Sequence, residues 1–333
     1  MKSYTHLWEA FISKENFELA LKNALKKKKK YRQIKAFLKN RDENLEAVRQ
    51  MVIRGEFHTS EYRSKTIYEP KERIIYKLPF APDRIVQHAV MNVLKPILYK
   101  KMIVNSFACI EGRGQIKASL KCSEAVRRNR YCLKCDVRKF YPSIDQKTLS
   151  AMFHKIIRDK QFLTILDDII FSFAGGKNCP IGNYCSQWFG NFYLTRLDNF
   201  VKHELRCRDY ERYCDDFLLF SNDKKYLNEC REKIGGFLRD TLFLEYSKSD
   251  LFDVRQGVDF CGYRHFGKYV LLRKSTAKRT ARRLRHFARN NFDTASKYIR
   301  SSIAAANGLL VHCCSYHLRK KWARMVNRGY FLL

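Results

Sequence analysis

Tyr213-Cys214-Asp215-Asp216-Phe217-Leu218-Leu219-Phe220 sets two adjacent carboxylates directly against four apolar residues. Adjacent carboxylates repel each other and are costly to desolvate, so a half-buried strand should exclude them. A cation resolves the conflict. If Asp215 and Asp216 cap a β-hairpin turn, the backbone aims one or both carboxylates at a divalent ion, and hard oxygen donors suit magnesium. Alone, the same residues also fit a solvated turn, because Asp is a common turn residue. The rest of the chain decides between the two.

Upstream, Tyr131-Cys132-Leu133-Lys134-Cys135-Asp136-Val137 reads as a strand with a carboxylate at its end. A buried carboxylate there is anomalous unless it is paired or holds metal. Asp136, Asp215 and Asp216 together supply three carboxylates on two strands. Such a set can hold two metals about 4 Å apart for in-line phosphoryl displacement.

Composition narrows the partner. The 333 residues carry 66 Lys and Arg against 33 Asp and Glu, a formal charge of +33. Self-repulsion on that scale calls for a polyanion, with nucleic acid first and an anionic membrane surface as the competitor. No uninterrupted apolar run reaches about 18 residues, and Met1–Ala20 is charged and shows no signal-peptide pattern, so a cytoplasmic protein is expected. The 12 cysteines include one C-x-x-C, Cys132 to Cys135, with no second pair at zinc-finger distance; most read as reduced, small hydrophobes.

Residues 1–60 read as helical and basic, with Lys26–Lys30 either a solvated face or a phosphate-contacting arm. Ile74-Ile75-Tyr76 and Leu78 form a strand bounded by Pro79 and Pro82, followed by a helix over Arg84–Leu98. A loop at Gly112-Arg113-Gly114 precedes a helix to about Arg130. Helices run to about Phe173, and a long apolar helix spans about Ser186–Leu205. After the Asp215 hairpin come a helix near Lys224–Leu238 and strands around Leu242–Tyr246, Val258–Tyr263 and Tyr269–Leu272, then a basic helical tail. Intermixed strands and helices around an antiparallel hairpin define an α+β class.

These residues resemble the reverse transcriptases. Tyr213-Cys214-Asp215-Asp216 is similar to their Y-x-D-D motif, and Asp136-Val137-Arg138-Lys139-Phe140-Tyr141 to their first catalytic motif, within an ordered match over about residues 65–265. The resemblance implies a right-hand polymerase: a basic N-terminal extension (1–60), fingers (61–130), a palm (131–265) with a fingers insertion around 150–180, and a helical basic thumb (266–333). It implies two Mg2+ ions, with Mn2+ able to substitute, held by Asp136, the Val137 carbonyl, Asp215 and Asp216. Lys71 and Arg73 match the fingers residues that grip the incoming dNTP triphosphate. Lys248, after Leu244-Glu245-Tyr246, matches a palm lysine proposed to protonate pyrophosphate. Tyr141 stands where the family places a steric gate against the 2′-hydroxyl. Phe260-Cys261-Gly262-Tyr263 resembles the primer grip, and Asp83-Arg84-Ile85-Val86-Gln87 a block shared with group II intron enzymes.

One segment departs from the common pattern. Most of the family carries Gln-Gly-x-x-x-Ser-Pro before the long palm helix, whereas this chain has Ile181-Gly182-Asn183-Tyr184-Cys185-Ser186-Gln187. That form resembles the enzymes of diversity-generating retroelements, which copy a template-repeat RNA into cDNA with frequent errors opposite adenine. An isoleucine in place of glutamine gives up directional hydrogen bonds worth roughly 0.5–1.5 kcal/mol each, so Ile181, with Gly182 and Gln187 in the nucleotide site, is expected to lower fidelity. Arg279, Arg282, Arg283 and Arg285 lie on neighbouring helical turns and suit a thumb tracking a cDNA/RNA duplex backbone. The resemblance also implies a prokaryotic or phage source and a small, basic, helical accessory protein. Two alternatives stand beside it: another prokaryotic reverse transcriptase (group II-like, retron or antiphage defence), and a catalytically silent nucleic-acid-binding module.

Overall fold

In the computed structural model, which describes residues 3–68, 72–289 and 296–325, the strand-forming runs assemble into three sheets. The strands are β1 (Arg63–Ile67), β2 (Arg73–Lys77), β3 (Tyr131–Val137), β4 (Asp209–Tyr213), β5 (Asp216–Ser221), β6 (Tyr246–Asp253), β7 (Val258–Phe260), β8 (Tyr263–His265) and β9 (Val270–Leu272). β1 and β2 form an antiparallel ribbon, β4-β5-β3-β6 a four-stranded sheet, and β7-β8-β9 an antiparallel three-stranded sheet. The α+β class expected from the intermixed periodicities is the class observed.

The chain divides into two compact units that alternate along its length. The first comprises Met1–Val104, Asp136–Leu205 and Lys233–Lys248. Its centre is the helix Ile85–Lys101, against which Lys14–Ala24 packs. That central helix buries Ile85, Val86, Ala89, Val90, Met91, Leu94, Ile97 and Leu98, so it is apolar nearly all round. Asn16 enters this core without penalty because its amide donates to the Phe11 carbonyl at 2.8 Å and the Ala89 carbonyl at 3.2 Å. Asp145 and Asp159 cap the helices Gln146–Ile156 and Lys160–Phe171. The other oxygen of Asp159 accepts from the Leu7 and Trp8 amides at 2.8 Å each, tying the first helix down.

The second unit comprises Asn105–Cys135, Arg206–Glu232 and Ser249–Leu333. The helix Gln115–Arg128 lays Ala118, Cys122, Ala125 and Val126 on Cys132, Leu218, Phe220, Val258 and Phe260. A separate core joins Tyr263 and Leu272 to the helices Lys274–Arg289, Lys297–Leu310 and Tyr316–Ala323 through Leu284, Phe287, Ile303, Leu310 and Trp322.

One expectation shifts. A strand was expected over about Leu242–Tyr246, but the helix Lys224–Leu242 takes its first residue and β6 begins at Tyr246. Leu227, Ile234, Leu238 and Leu242 are all buried at helical spacing, which extends the helix. Phe243, with φ of 53°, then ends it, and the Leu244 amide turns back to the Leu238 carbonyl at 2.9 Å.

Candidate active site

Strands β4 and β5 pair from Asp209 opposite Phe220 to Tyr213 opposite Asp216, leaving Cys214-Asp215 as a two-residue turn. Cys214 takes a φ of 56°, a left-handed conformation a non-glycine residue holds only when its surroundings impose it. The surroundings are polar and buried. Arg212 is fully buried and its guanidinium donates to the Cys214 carbonyl at 3.1 Å. Neighbouring Glu211, also buried, accepts from the Asn105 amide at 2.9 Å. A buried arginine thus supports the turn's backbone beside a buried glutamate, an arrangement that apolar-run reading of Tyr210-Glu211-Arg212-Tyr213 does not foresee. Beside the turn, Lys134 of β3 places its ammonium 3.6 Å from the Asp216 carboxylate and 2.5 Å from the Asp259 carbonyl.

In the first unit, Asp136 is half-buried and accepts a hydrogen bond from the Ser247 hydroxyl. The next residues are aligned by backbone: the Arg138 amide donates to the Glu245 carbonyl at 2.8 Å. Lys248, one residue beyond Ser247, is exposed on β6. Tyr141 is half-buried with its ring 5.1 Å from that of Phe140. Both rings lie against Gly190 of the helix Ser186–Tyr193, where an added Cβ would come within 3.0 Å of each.

The Ile181–Gln187 segment is held from three sides within the same unit. The Tyr76 amide of β2 donates to the Ile181 carbonyl at 2.8 Å. Arg84 donates to the Gly182 carbonyl at 3.1 Å, and the Tyr184 amide donates to the Gln87 side chain at 2.8 Å. Asn183 donates to the Tyr62 hydroxyl at 2.6 Å, and Ser186 to the Pro180 carbonyl at 2.7 Å. Gly182 has a φ of 130°, and a Cβ there would sit 1.9 Å from the Tyr76 carbonyl oxygen. Only glycine fits. Ile181 is half-buried and Gln187 is exposed on the first turn of the following helix. The Asp83–Gln87 block thus has a local structural role. Arg84 and Gln87 hold this segment, while Asp83 accepts from the Ser60 amide and hydroxyl at 2.9 and 2.8 Å. Arg73 is exposed on β2, opposite Ile67, and Lys71 lies outside the described residues.

Residues 64–265 match the family model for reverse transcriptase (RNA-dependent DNA polymerase), well over half of the chain. The chain belongs to the reverse transcriptase family. Retron Ec73 reverse transcriptase of Escherichia coli is 24% identical over 173 residues, covering 48% of this chain and 50% of that protein. The chain therefore spans about half the length of the curated relative it matches. Among solved structures, apo telomerase from Candida tropicalis aligns with a TM-score of 0.51 at 12% identity, over 81% of this chain and 59% of that one. At that identity the likeness is one of fold.

In this reverse transcriptase-family chain the segment Phe260–Tyr263, which resembles the primer grip, forms the β7–β8 hairpin, with Phe260 opposite Tyr263. Its turn residues Cys261 and Gly262 have φ of 48° and 85°, the double positive turn that suits a two-residue hairpin. Phe260 and Tyr263 are fully buried, so their rings anchor the hairpin, while Cys261 and Gly262 of the turn are half-buried. The Gln115 amide donates to the Cys261 carbonyl at 2.6 Å. In the helix Lys274–Arg289, Arg279, Arg282, Arg283 and Arg285 are exposed, opposite buried Ala281, Leu284 and Phe287. Domains of this family generally use divalent metals. Among the described residues no three His, Cys, Asp or Glu side chains form a closed cluster. Asp136 in the first unit and Asp215 and Asp216 in the second each offer hard carboxylate oxygens, the donor type that suits magnesium. No helix of the described residues is long and apolar enough to cross a membrane.

Proposed function

We propose that this chain is an RNA-directed DNA polymerase of the diversity-generating kind, making error-prone cDNA from a template-repeat RNA. The observation that carries the finer reading is the Ile181–Gln187 segment: Tyr76, Arg84 and Gln87 hold its carbonyls at 181 and 182 and its amide at 184, which fixes where the Ile181 side chain sits. Isoleucine contributes shape without directed donors. Mismatches are then rejected less strongly, because selectivity is a difference in transition-state binding.

In this reading Asp136, the Val137 carbonyl, Asp215 and Asp216 hold two Mg2+ ions. Ions held there would supply Lewis-acid activation of the primer 3′-hydroxyl and neutralisation of charge on the leaving pyrophosphate. Lys248 gives a proton to that leaving group. Tyr141, wedged against Gly190, excludes a 2′-hydroxyl, and Arg73 with Lys71 grips the triphosphate of the dNTP. The exposed arginines of Lys274–Arg289 track the cDNA/RNA duplex. A small, basic, helical accessory protein belongs to the same reading.

Magnesium-dependent primer extension on RNA, abolished by Asp215→Ala, tests the general part; no extension by the intact chain would favour the silent binding module, and extension surviving Asp215→Ala would refute the role given to Asp215. Sequencing of cDNA from wild type and Ile181→Gln tests the finer part. The variant should misincorporate less opposite template adenine, and an unchanged error spectrum removes the diversity-generating reading. The similarity to retron Ec73 reverse transcriptase favours a retron-like alternative. A template repeat paired with an adenine-differing variable repeat beside the coding region separates the two.

A further inference from the structure

Lys26–Lys30, a run that the proposed polymerase chemistry does not use, is folded rather than extended. After the helix Lys14–Ala24, the Lys26 amide donates to the Asn23 carbonyl at 3.3 Å, and the Lys28 amide to the Leu25 carbonyl at 3.0 Å. The Tyr31 amide then donates to the Lys28 carbonyl at 3.1 Å. Lys27 takes a φ of 60° within these turns. Like charges are thereby crowded that an extended arm would separate, a cost that a bound polyanion relieves. Between the turns, the preceding helix and Arg41 lies a cavity of about 810 Å³, wholly within the first unit. Its apolar side is Leu21, fully buried, with Leu25 half-buried and Leu19 46% exposed. Its charge comes from Lys22, Lys26, Lys27, Lys29 and Lys30, all exposed. The lining carboxylate, Glu18, is already paired with Arg41, and among the described residues none of the five lysines makes an ion pair.

We propose that this cavity is a second nucleic-acid site, which takes single-stranded RNA outside the primer–template duplex. The lysines meet backbone phosphates as flexible point charges. The leucines cover the apolar faces of sugars and bases, and Tyr31, 65% exposed directly after Lys30, offers a ring for stacking. A positively charged groove beside an aromatic ring is the arrangement that holds single strands without sequence preference. The volume lies within the roughly 300–1,000 Å³ of a site that encloses its ligand, so it admits part of a single strand and excludes a duplex. A bilayer would need a flat or convex face, and this one is concave.

The cavity is built from residues between Glu18 and Arg41, apart from residues 64–265 that match the reverse transcriptase family model. RNA held there stays on the chain whatever occupies the polymerase site. Binding is independent of the roles proposed for Asp136, Asp215, Asp216 and Ile181, so it is read without polymerisation.

The experiment acetylates the lysines of the full chain briefly and maps them by mass spectrometry. The chain is taken alone, saturated with a primer–template duplex of minimal overhang, and with that duplex plus an unstructured RNA of about 12 nucleotides. Expected is acetylation of Lys26, Lys27, Lys29 and Lys30 slowed several-fold only when the single strand is added. Replacing these four lysines together with Gln should lower the slope of log K against log salt for that strand by about 3, at roughly 0.7 per lost phosphate contact. The urea midpoint of the variant should not fall, since only like charges are removed, which separates lost binding from lost folding. Acetylation that the single strand leaves unchanged overturns the proposal, as does an unchanged slope. Protection by the duplex alone also overturns it and joins the cavity to the polymerase groove. Protection by polyglutamate or phosphatidylserine vesicles but not by RNA overturns it in favour of an acidic protein or a membrane. A chain that protects these lysines yet extends no primer supports the site and counts against the polymerase function alone.

Discussion

Replacing Gly182 with alanine tests the clamped segment most directly. The added Cβ would lie 1.9 Å from the Tyr76 carbonyl oxygen and 3.0 Å from its carbon, backbone atoms that no rotamer change can move aside. Relief requires the segment to lift off β2 by more than 1 Å, roughly the difference between that contact and an ordinary one. Lifting breaks the 2.8 Å bond from Tyr76 to Ile181 and the 3.1 Å bond from Arg84 to Gly182. The first is worth about 0.5–1.5 kcal/mol and the second, made by a cation, about 1.5–3 kcal/mol. A positive φ imposed on alanine adds on the order of 1 kcal/mol. The low end of these contributions is about 3 kcal/mol. With a urea slope of about 3 kcal/mol/M, the unfolding midpoint should fall by about 1 M. Single-nucleotide incorporation should fall with it, because Ile181 loses its position. Gly190→Ala is the internal comparison: its 3.0 Å contacts are to the ring edges of Phe140 and Tyr141, which can shift, so it should cost less. A Gly182→Ala chain with an unchanged midpoint and unchanged incorporation would refute the clamp.

Removing Arg279, Arg282 and Arg283 together should weaken duplex binding evenly across sequences and reduce the slope of log K against log salt by about 2 to 3, since each lost phosphate contact is worth roughly 0.7–0.9; an unchanged slope in a titration from low to moderate salt would take these residues out of the interface. Two buried histidines predict acid sensitivity. Burial, reinforced by Arg84, Lys95, Lys28 and Lys26, brings His88 down to about 3, and burial brings His265 down to about 4. Both folded values lie below the free value of 6.5, so their stabilisation is complete above it and is lost as pH falls from there toward the folded values. Stability should fall by up to about 1.4 kcal/mol per histidine for each pH unit in that window. Urea midpoints measured from about pH 7.5 to about pH 4.5 check this, and His265→Gln should flatten the fall; an equal slope in the variant would assign the sensitivity elsewhere.

Local pattern was enough for much of the fold. The Tyr131–Val137 strand, the carboxylate hairpin and the amphipathic Lys274–Arg289 helix were each legible from alternation or helical spacing. A strand or helix with one buried face carries its own evidence in consecutive residues. The end of the Lys224–Leu242 helix was less so, because the residue that stops it, Phe243, has no turn signature and adopts its positive φ only in place. The Phe260-Cys261-Gly262-Tyr263 segment could be read as a hairpin, yet nothing in its composition says that Phe260 and Tyr263 face the core.

What the sequence determined by itself is the chemistry on offer: the acidic residues Asp136, Asp215 and Asp216, the basic charge that seeks a polyanion, and the Ile181-to-Gln187 variant of a family motif. Those are properties of residue type and spacing. The tertiary structure alone decided how these groups are supported. Arg84 meets the carbonyl of Gly182 across 98 positions, and Gln87 meets the Tyr184 amide across 97. Buried Arg212 holds the Cys214 carbonyl, and its own amide donates to the Asn105 carbonyl. Such contacts join residues whose separation along the chain carries no periodic signal, and they exist only once folding has closed the intervening loops and burial has made each polar group find a partner.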